Sequence, residues 1–147
     1  MTNTKQKTIY FIFFTIVLDM LGIGLIIPVL PDVIRRFVTD VDSVNHLFGY
    51  FVALYALMQF IASPILGALS DRFGRRPILL FSLLGASVDY VFMAYAPTLI
   101  LLFIGRVISG LTGASVTVAN SYIADISDDK NRSANFGLIG AAFGIGF

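Results

Sequence analysis

The residues from Leu47 to Leu69, which read LFGYFVALYALMQFIASPILGAL, form a run of 23 residues without a charged side chain. About 20 consecutive apolar residues are needed for an α-helix to cross the ~30 Å hydrocarbon core of a bilayer. This run is therefore predicted to be a membrane-spanning helix. A single amide side chain, Gln59, lies close to its middle.

Three further runs of 19 to 25 residues contain one charge each: Ile9–Leu30 with Asp19, Ile78–Ala96 with Asp89, and Leu99–Ile123 with Arg106. A fifth apolar run begins at about Asn135 and reaches Phe147, and as a helix it is only about 20 Å long. We therefore expect an all-α membrane protein, a polytopic helical bundle. Its spans lie at about 9–30, 47–69, 78–96 and 99–123, with a truncated fifth helix from about 135. On this interpretation residues 1–147 form one partial transmembrane domain.

The composition excludes a free-standing soluble domain. Hydrophobic residues make up 57% of the chain, charged residues 13%, and the mean hydropathy is +0.87. A soluble domain has about 25% charged residues because its surface must be hydrated. Cysteine is absent, which excludes disulfides, thiol catalysis and cysteine metal sites. Glutamate is also absent and histidine occurs once, which leaves few residues for enzyme chemistry. We expect no protein-bound metal or cofactor, no nucleic-acid partner and no enzyme activity, since catalytic and phosphate-binding motifs are absent from the sequence.

The basic residues outside the spans are distributed unevenly between the two sides of the predicted bundle. One side carries only Arg35 and Arg36. The side that contains the N-terminus carries seven basic residues: Lys5, Lys7, Arg72, Arg75, Arg76, Lys130 and Arg132. Because cytoplasmic loops are the ones enriched in Lys and Arg, we expect the N-terminus in the cytoplasm.

Asp19, Asp89 and Arg106 are predicted to lie inside the membrane. A charge at the centre of a spanning helix costs about 2.5–3.5 kcal/mol on insertion scales, so these side chains should face protein or water. Their depths permit an Asp–Arg ion pair but do not decide which aspartate takes part. A buried carboxylate without a permanent partner can exchange a proton for a bound ligand, which is a requirement of proton-coupled transport. The alternative is a purely structural ion pair.

Small and polar residues recur at helical spacing within the spans. In the fourth span, residues at intervals of four and three are predicted to share one face of a continuous helix: Arg106, Gly110, Gly113, Thr117 and Asn120. In the second span, Tyr55 and Gln59 are about one turn apart. Such faces are either packing seams between helices or the lining of a substrate path. For Gln59 and Asn120 both interpretations stay open.

The sequence between the second and third spans reads GALSDRFGRRP from Gly67 to Pro77. Its glycine permits a tight turn, and its proline suits the first turn of the next helix. The loop resembles the signature of the major facilitator superfamily, in which Gly, Asp-Arg, Gly and Arg-Arg occur at these spacings. In that family the charges of the loop gate the change to the inward-facing state. The resemblance therefore implies a cytoplasmic gate of six residues: Gly67, Asp71, Arg72, Gly74, Arg75 and Arg76.

Three other segments resemble the drug/proton antiporters of this superfamily, and in particular the tetracycline/proton antiporters. They are LDMLGIGLIIPVLP from Leu18 to Pro31, Gly105-Arg106 with the glycines that follow, and the fifth-helix glycines Gly137, Gly140, Gly144 and Gly146. The last set resembles the opening of the antiporter motif of that helix. The resemblance implies that the chain supplies the first four helices and part of the fifth in the N-terminal half of a twelve-helix transporter.

The function implied by the resemblance is drug efflux across the bacterial cytoplasmic (inner) membrane. Tetracycline, as its magnesium chelate, is the implied substrate, and a proton is the coupling ion. Asp19, Asp89 and Arg106 take the implied proton-coupling roles, and Gln59 lies near the implied substrate path. The expected partners are the lipid bilayer, the small-molecule drug and the missing remainder of the transporter. An exporter of another small molecule and a truncated, non-transporting remnant stay open as alternatives.

Overall fold

The computed structural model describes residues 3–147, with side chains from Lys5 onward, and within that range the chain forms six helices and no strand. They are α1 (Asn3–Ile34), α2 (Val41–Phe73), α3 (Arg75–Tyr95), α4 (Leu99–Thr112), α5 (Ser115–Ile126) and α6 (Arg132–Gly146). The part of the chain described holds four helical segments long and apolar enough to cross a membrane, the fourth being α4 and α5 together. The predicted all-α membrane bundle is confirmed.

The first two helices extend well beyond their apolar runs. α1 has 32 residues, which corresponds to about 48 Å and exceeds the ~30 Å hydrocarbon core. Hydropathy detects only the apolar part of a helix, whereas capping groups decide where it ends. At the start of α2, the Asp40 carboxylate accepts hydrogen bonds from the backbone N–H and the hydroxyl of Ser43, at 2.9 and 2.8 Å. At its end, Gly74 adopts a φ of +98°, a conformation that favours glycine.

The fourth span is not one continuous helix, which corrects the expectation of a single face from Arg106 to Asn120. The chain breaks at Gly113, whose φ of −75° and ψ of 67° form an inverse γ-turn. In this turn the N–H of Ala114 donates to the carbonyl of Thr112 at 2.9 Å. Residues at helical spacing share one face only along a single helical axis, and the break gives α5 a separate start.

α4 packs extensively against α2 and α3, while α1 packs most extensively against α6. Glycines permit the close approaches. A Cβ on Gly110 would lie 2.6 Å from the Cβ of Met58, and a Cβ on Gly85 would collide with the side chain of Thr112. These glycines therefore act as packing positions, as small residues commonly do between membrane helices.

The buried apolar residues of the described chain form two clusters at opposite ends of the bundle. One cluster, near the N-terminus of α1, includes Ile12, Leu79 and Ile123, and the other includes Leu30, Phe51 and Leu102. Asp89 and Arg106 lie between the two clusters, and Asp19 lies beside Met20 of the first cluster. Large apolar side chains elsewhere face outward, with Phe60 80% and Tyr95 82% exposed. This exposed apolar surface is that of a multi-pass membrane protein rather than of a soluble domain.

Candidate functional site

Arg106 on α4 forms an ion pair with Asp89 on α3, which answers the question that the sequence left open. The distance from Arg106 Nη2 to Asp89 Oδ2 is 2.8 Å, and both side chains are buried. Gly105 makes room for the pair, since a Cβ there would lie 2.7 Å from Asp89 Oδ1. Asp19 instead lines a cavity on the α1 side. The two aspartates therefore occupy different environments.

The ion pair is close in distance but poor in hydrogen-bond geometry. Although Asp89 Oδ2 lies within ion-pair distance, neither Asp89 oxygen has a well-aligned donor among the described residues, and Arg106 Nε has no acceptor there. Arg106 Nη2 also lies 3.0 Å from the sulfur of Met93, a weak acceptor. The Ser109 side chain is the other polar group beside Asp89, so the pair is held mainly by charge attraction.

A cavity of about 220 Å³ lies between α1, α2, α3 and α4, and both Asp19 and Arg106 line it. Its other polar lining residues are Tyr55, Ser82, Tyr90 and Ser109. The Tyr55 ring lies beside the guanidinium of Arg106, with 6.0 Å between the ring centroid and Cζ. This space combines a carboxylate, a guanidinium and two phenols, and it can accommodate a small polar group or water.

A larger cavity of about 560 Å³ lies between α1 and α3, and Asp19 and Tyr90 line both cavities. The Tyr90 hydroxyl packs directly on Gly22, where a Cβ would collide with it. Tyr55 and Tyr90 were not predicted as site residues. The signals that could have found them are the one-turn spacing of Tyr55 from Gln59 and the position of Tyr90 directly after Asp89.

Gln59 contacts the break between α4 and α5. Its side-chain amide donates to the carbonyl of Gly113 at 2.8 Å and to the hydroxyl of Tyr55 at 3.3 Å. Gln59 and Thr117 line a third cavity, an open groove of about 720 Å³. Asn120 is half-buried on α5 and is not part of the lining of these three cavities. The assignment of Gln59 and Asn120 to a substrate path stays a prediction.

Of the residues of the expected cytoplasmic gate, Asp71 pairs with Arg75, which lies at the start of α3. Arg75 contacts Asp71 at 2.5 Å, Asp125 of α5 at 2.9 Å and the hydroxyl of Ser70 at 2.6 Å. Its side chain is only 15% exposed, whereas each of the two aspartates is at least half exposed. Arg75 therefore connects the end of α2 and the start of α3 to the end of α5. Asp125 was missed because it is distant in sequence and belongs to no motif.

The other residues of this loop have separate contacts. Arg72 lies over the ring of Phe73 at 5.4 Å, and Arg76 lies over the ring of Phe11 on α1 at 5.0 Å. The carbonyl of Gly67 accepts a hydrogen bond from the Ser70 hydroxyl at 2.7 Å. Among the loop glycines, Gly74 is required by its backbone conformation, because its φ is positive.

The glycines of α6 do not meet the ion pair. Gly137, Gly140 and Gly144 lie on an exposed face, and a Cβ at any of them would meet nothing within 4 Å among the described residues. Gly146, in contrast, packs on α1, where a Cβ would lie 2.6 Å from the carbonyl oxygen of Val17. An antiporter role for the first three stays a prediction.

The profile of the Major Facilitator Superfamily matches residues 12–147. The chain belongs to the major facilitator superfamily. It is 55% identical to the class C tetracycline resistance protein of Escherichia coli over 132 residues. This alignment covers 90% of this chain and 33% of that protein. It is 54% identical over 129 residues to the class B protein of Escherichia coli, covering 88% and 32%. Multidrug resistance protein 2 of Bacillus subtilis is 35% identical over 145 residues, covering 97% and 35%.

Among solved structures, this superfamily member is similar to the human organic anion transporter MFSD10 (TETRAN). The TM-score is 0.80 at 24% identity, and the match covers 97% of this chain and 39% of the human one. At that identity the similarity shows the shared fold alone. The chain spans about a third of the length of the curated relatives it matches.

Proposed function

We propose that the chain supplies part of a proton-coupled drug exporter of the bacterial cytoplasmic membrane, with its N-terminus in the cytoplasm. The observation that carries the proposal is the separation of the two aspartates. Asp89 is paired with Arg106, while Asp19 lines the same cavity as Arg106 and a second cavity beside it. A carboxylate on a cavity wall can exchange a proton with a ligand or with water, and such intramembrane acids are typical of proton-coupled transporters.

The proposed substrate is tetracycline as its magnesium chelate. Support comes from the identity of 54–55% with two tetracycline resistance proteins. In this proposal magnesium arrives with the substrate, and the protein itself supplies the cavity and the charges. Export of another small molecule is the second candidate, favoured by the 35% identity with a multidrug resistance protein.

The transport proposal is tested with inverted membrane vesicles that contain the protein in its complete reading frame. A proton gradient should drive tetracycline uptake, and chelation of magnesium by EDTA should lower it. Asp19→Asn should abolish gradient-driven uptake while leaving membrane insertion intact. The matched control is Asp32→Asn, which removes an exposed carboxylate paired with Arg35 and should transport normally. Uptake of other drugs without tetracycline would favour the second candidate.

The proposed orientation has an independent test, because the sequence contains no cysteine. Single cysteines at Thr39, between α1 and α2, and at Ser133, at the start of α6, should lie on opposite sides. In intact cells, a membrane-impermeant maleimide should label Thr39→Cys and spare Ser133→Cys. The reverse labelling would place the N-terminus outside.

A further inference from the structure

The break between α4 and α5 lies between two charged sites. Arg106 lies on α4 with its partner Asp89, and Asp125 lies near the end of α5 with its partner Arg75. A displacement of α5 relative to α4 therefore changes how these two sites are placed relative to each other. The geometry of the break at Gly113 thus determines that relation.

A helix break inside a membrane frees backbone groups, which must find other partners because lipid offers none. Here side chains of two other helices supply them. Gln59 of α2 donates to the carbonyl of Gly113 at 2.8 Å. The Ser82 hydroxyl of α3 is a second acceptor, at 3.4 Å, for the N–H of Ala114, which also donates to Thr112. A Cβ on Gly113 would lie only 3.2 Å from the Gln59 amide nitrogen, so the residue at the break leaves space for this contact.

The facing part of α2 is weakened as well. Pro64 lies within α2, five residues after Gln59, and a proline inside a helix removes one backbone hydrogen bond. Pro64, Gln59 and Gly113 line the same 720 Å³ groove. Backbone hydrogen bonding is therefore interrupted both in α2 and between α4 and α5, next to the same groove. The amide of Gln59 connects the two interruptions.

We propose that Gln59 is a positioning residue whose amide clamps the α4–α5 break and thereby sets the angle between the helix carrying Arg106 and the helix carrying Asp125. The Tyr55 hydroxyl, which accepts a second hydrogen bond from the same amide at 3.3 Å, orients it. This inference refines the proposed function. Of its tests, only the transport measurement depends on that function being correct. It differs from a direct contact between Gln59 and substrate, which is an outcome of the test.

The test is hydrogen–deuterium exchange of the protein in lipid nanodiscs, read for the peptide that contains Gly113. Gln59→Leu keeps the approximate size of the side chain but removes the donor. Exchange at the break should rise about threefold or more, the factor that interhelical hydrogen bonds in membranes typically contribute. The matched control is Asn135→Leu. It removes a buried amide that donates to the Ser127 hydroxyl at 2.8 Å, and this hydrogen bond does not involve the break. It should leave exchange at the break unchanged.

Gln59→Glu provides a second test, in which the protonated and ionised forms of one variant are compared. A protonated acid can donate to the Gly113 carbonyl, whereas a carboxylate cannot. The ratio of exchange in this variant to exchange in the parent should therefore rise with pH. The parent, measured at each pH, corrects for the ionisable groups around the cavity: Asp19, Tyr55, Asp89, Tyr90 and Arg106.

Each outcome supports or overturns the proposal that Gln59 holds the α4–α5 break. Unchanged exchange at the break in Gln59→Leu overturns it, and so does a pH-independent ratio in Gln59→Glu. If Gln59→Leu raises exchange in every helix, the test is the pH dependence of the exchange ratio between Gln59→Glu and the parent. Lost transport with unchanged exchange assigns Gln59 to the substrate and leaves the proposed function intact. Absence of transport in the parent overturns the proposed function alone.

Discussion

Asp89 and Arg106 form a buried ion pair across the α3–α4 interface, with Asp89 Oδ2 2.8 Å from Arg106 Nη2. Removal of the negative partner leaves a buried guanidinium without a counter-charge. Asp89→Asn should therefore lower the free energy of unfolding by about 3–5 kcal/mol, the usual cost of breaking a buried pair. Chemical unfolding in detergent micelles measures this loss.

The control for this prediction is Asp19→Asn, because Asp19 lines a cavity and is not the partner of Arg106 in the structure. Its effect should be about 1 kcal/mol or less. The double variant Asp89→Asn/Arg106→Gln should recover part of the stability lost in Asp89→Asn. Equal losses for the two aspartates would contradict the assignment of the ion pair.

Gly22 is required by the hydroxyl of Tyr90. In Gly22→Ala the new methyl group would overlap this hydroxyl, so α1 and α3 must separate or the ring must move. Overpacking of this kind costs about 1–3 kcal/mol, which thermal unfolding can detect. Gly22→Ala/Tyr90→Phe should regain much of the loss. Gly49→Ala is the control, since a Cβ there meets nothing within 4 Å among the described residues, and it should be neutral or slightly stabilising.

Arg75 and Asp125 should be energetically coupled at the end of the bundle where α3 begins and α5 ends. Their contact is 2.9 Å, but the aspartate is half exposed, so water and salt screen the pair. A double-mutant cycle with Arg75→Gln and Asp125→Asn should give a coupling of about 0.5–1 kcal/mol at low salt and less at high salt. The same cycle with Arg72→Gln should give none, because Arg72 packs on Phe73 instead. Equal coupling for both arginines would refute the specific pairing.

The first turn of α2 should loosen in acid. Hydrogen bonds from the hydroxyl and backbone N–H of Ser43 lower the pKa of Asp40 below its usual range. Because the pKa of Asp40 is lower in the folded state, its cap stabilises the fold fully at any pH above the pKa of Asp40 in the unfolded chain. Its contribution is lost as pH falls below about 4. The exchange rate of the Ser43 amide, relative to the intrinsic rate at each pH, should therefore rise in acid.

Asp40→Asn keeps an acceptor for the cap but removes its ionisation, so it should abolish this pH dependence. Asp42→Asn leaves the cap intact and should preserve it. A pH-dependent exchange rate that persists in Asp40→Asn would show that another group is responsible.

Much of the fold was predictable because membrane partition depends on local composition. The charge-free run from Leu47 to Leu69 and the three runs with one charge each identified four spans. Helix ends were less predictable, because they depend on caps such as Asp40 and Gly74 rather than on hydropathy. The motif between Gly67 and Pro77 located the Arg75 cluster, but spacing along one segment could not identify Asp125, which is 50 residues away.

The sequence by itself determined the membrane-protein class, the approximate spans and the presence of three intramembrane charges, because these follow from the residues within each segment. Only the tertiary structure decided that Asp89 rather than Asp19 pairs with Arg106, because pairing depends on how each helix rotates and packs against its neighbours. It also decided the break at Gly113. There the amide of Gln59, distant in sequence, satisfies a carbonyl that a continuous helix would have kept for itself.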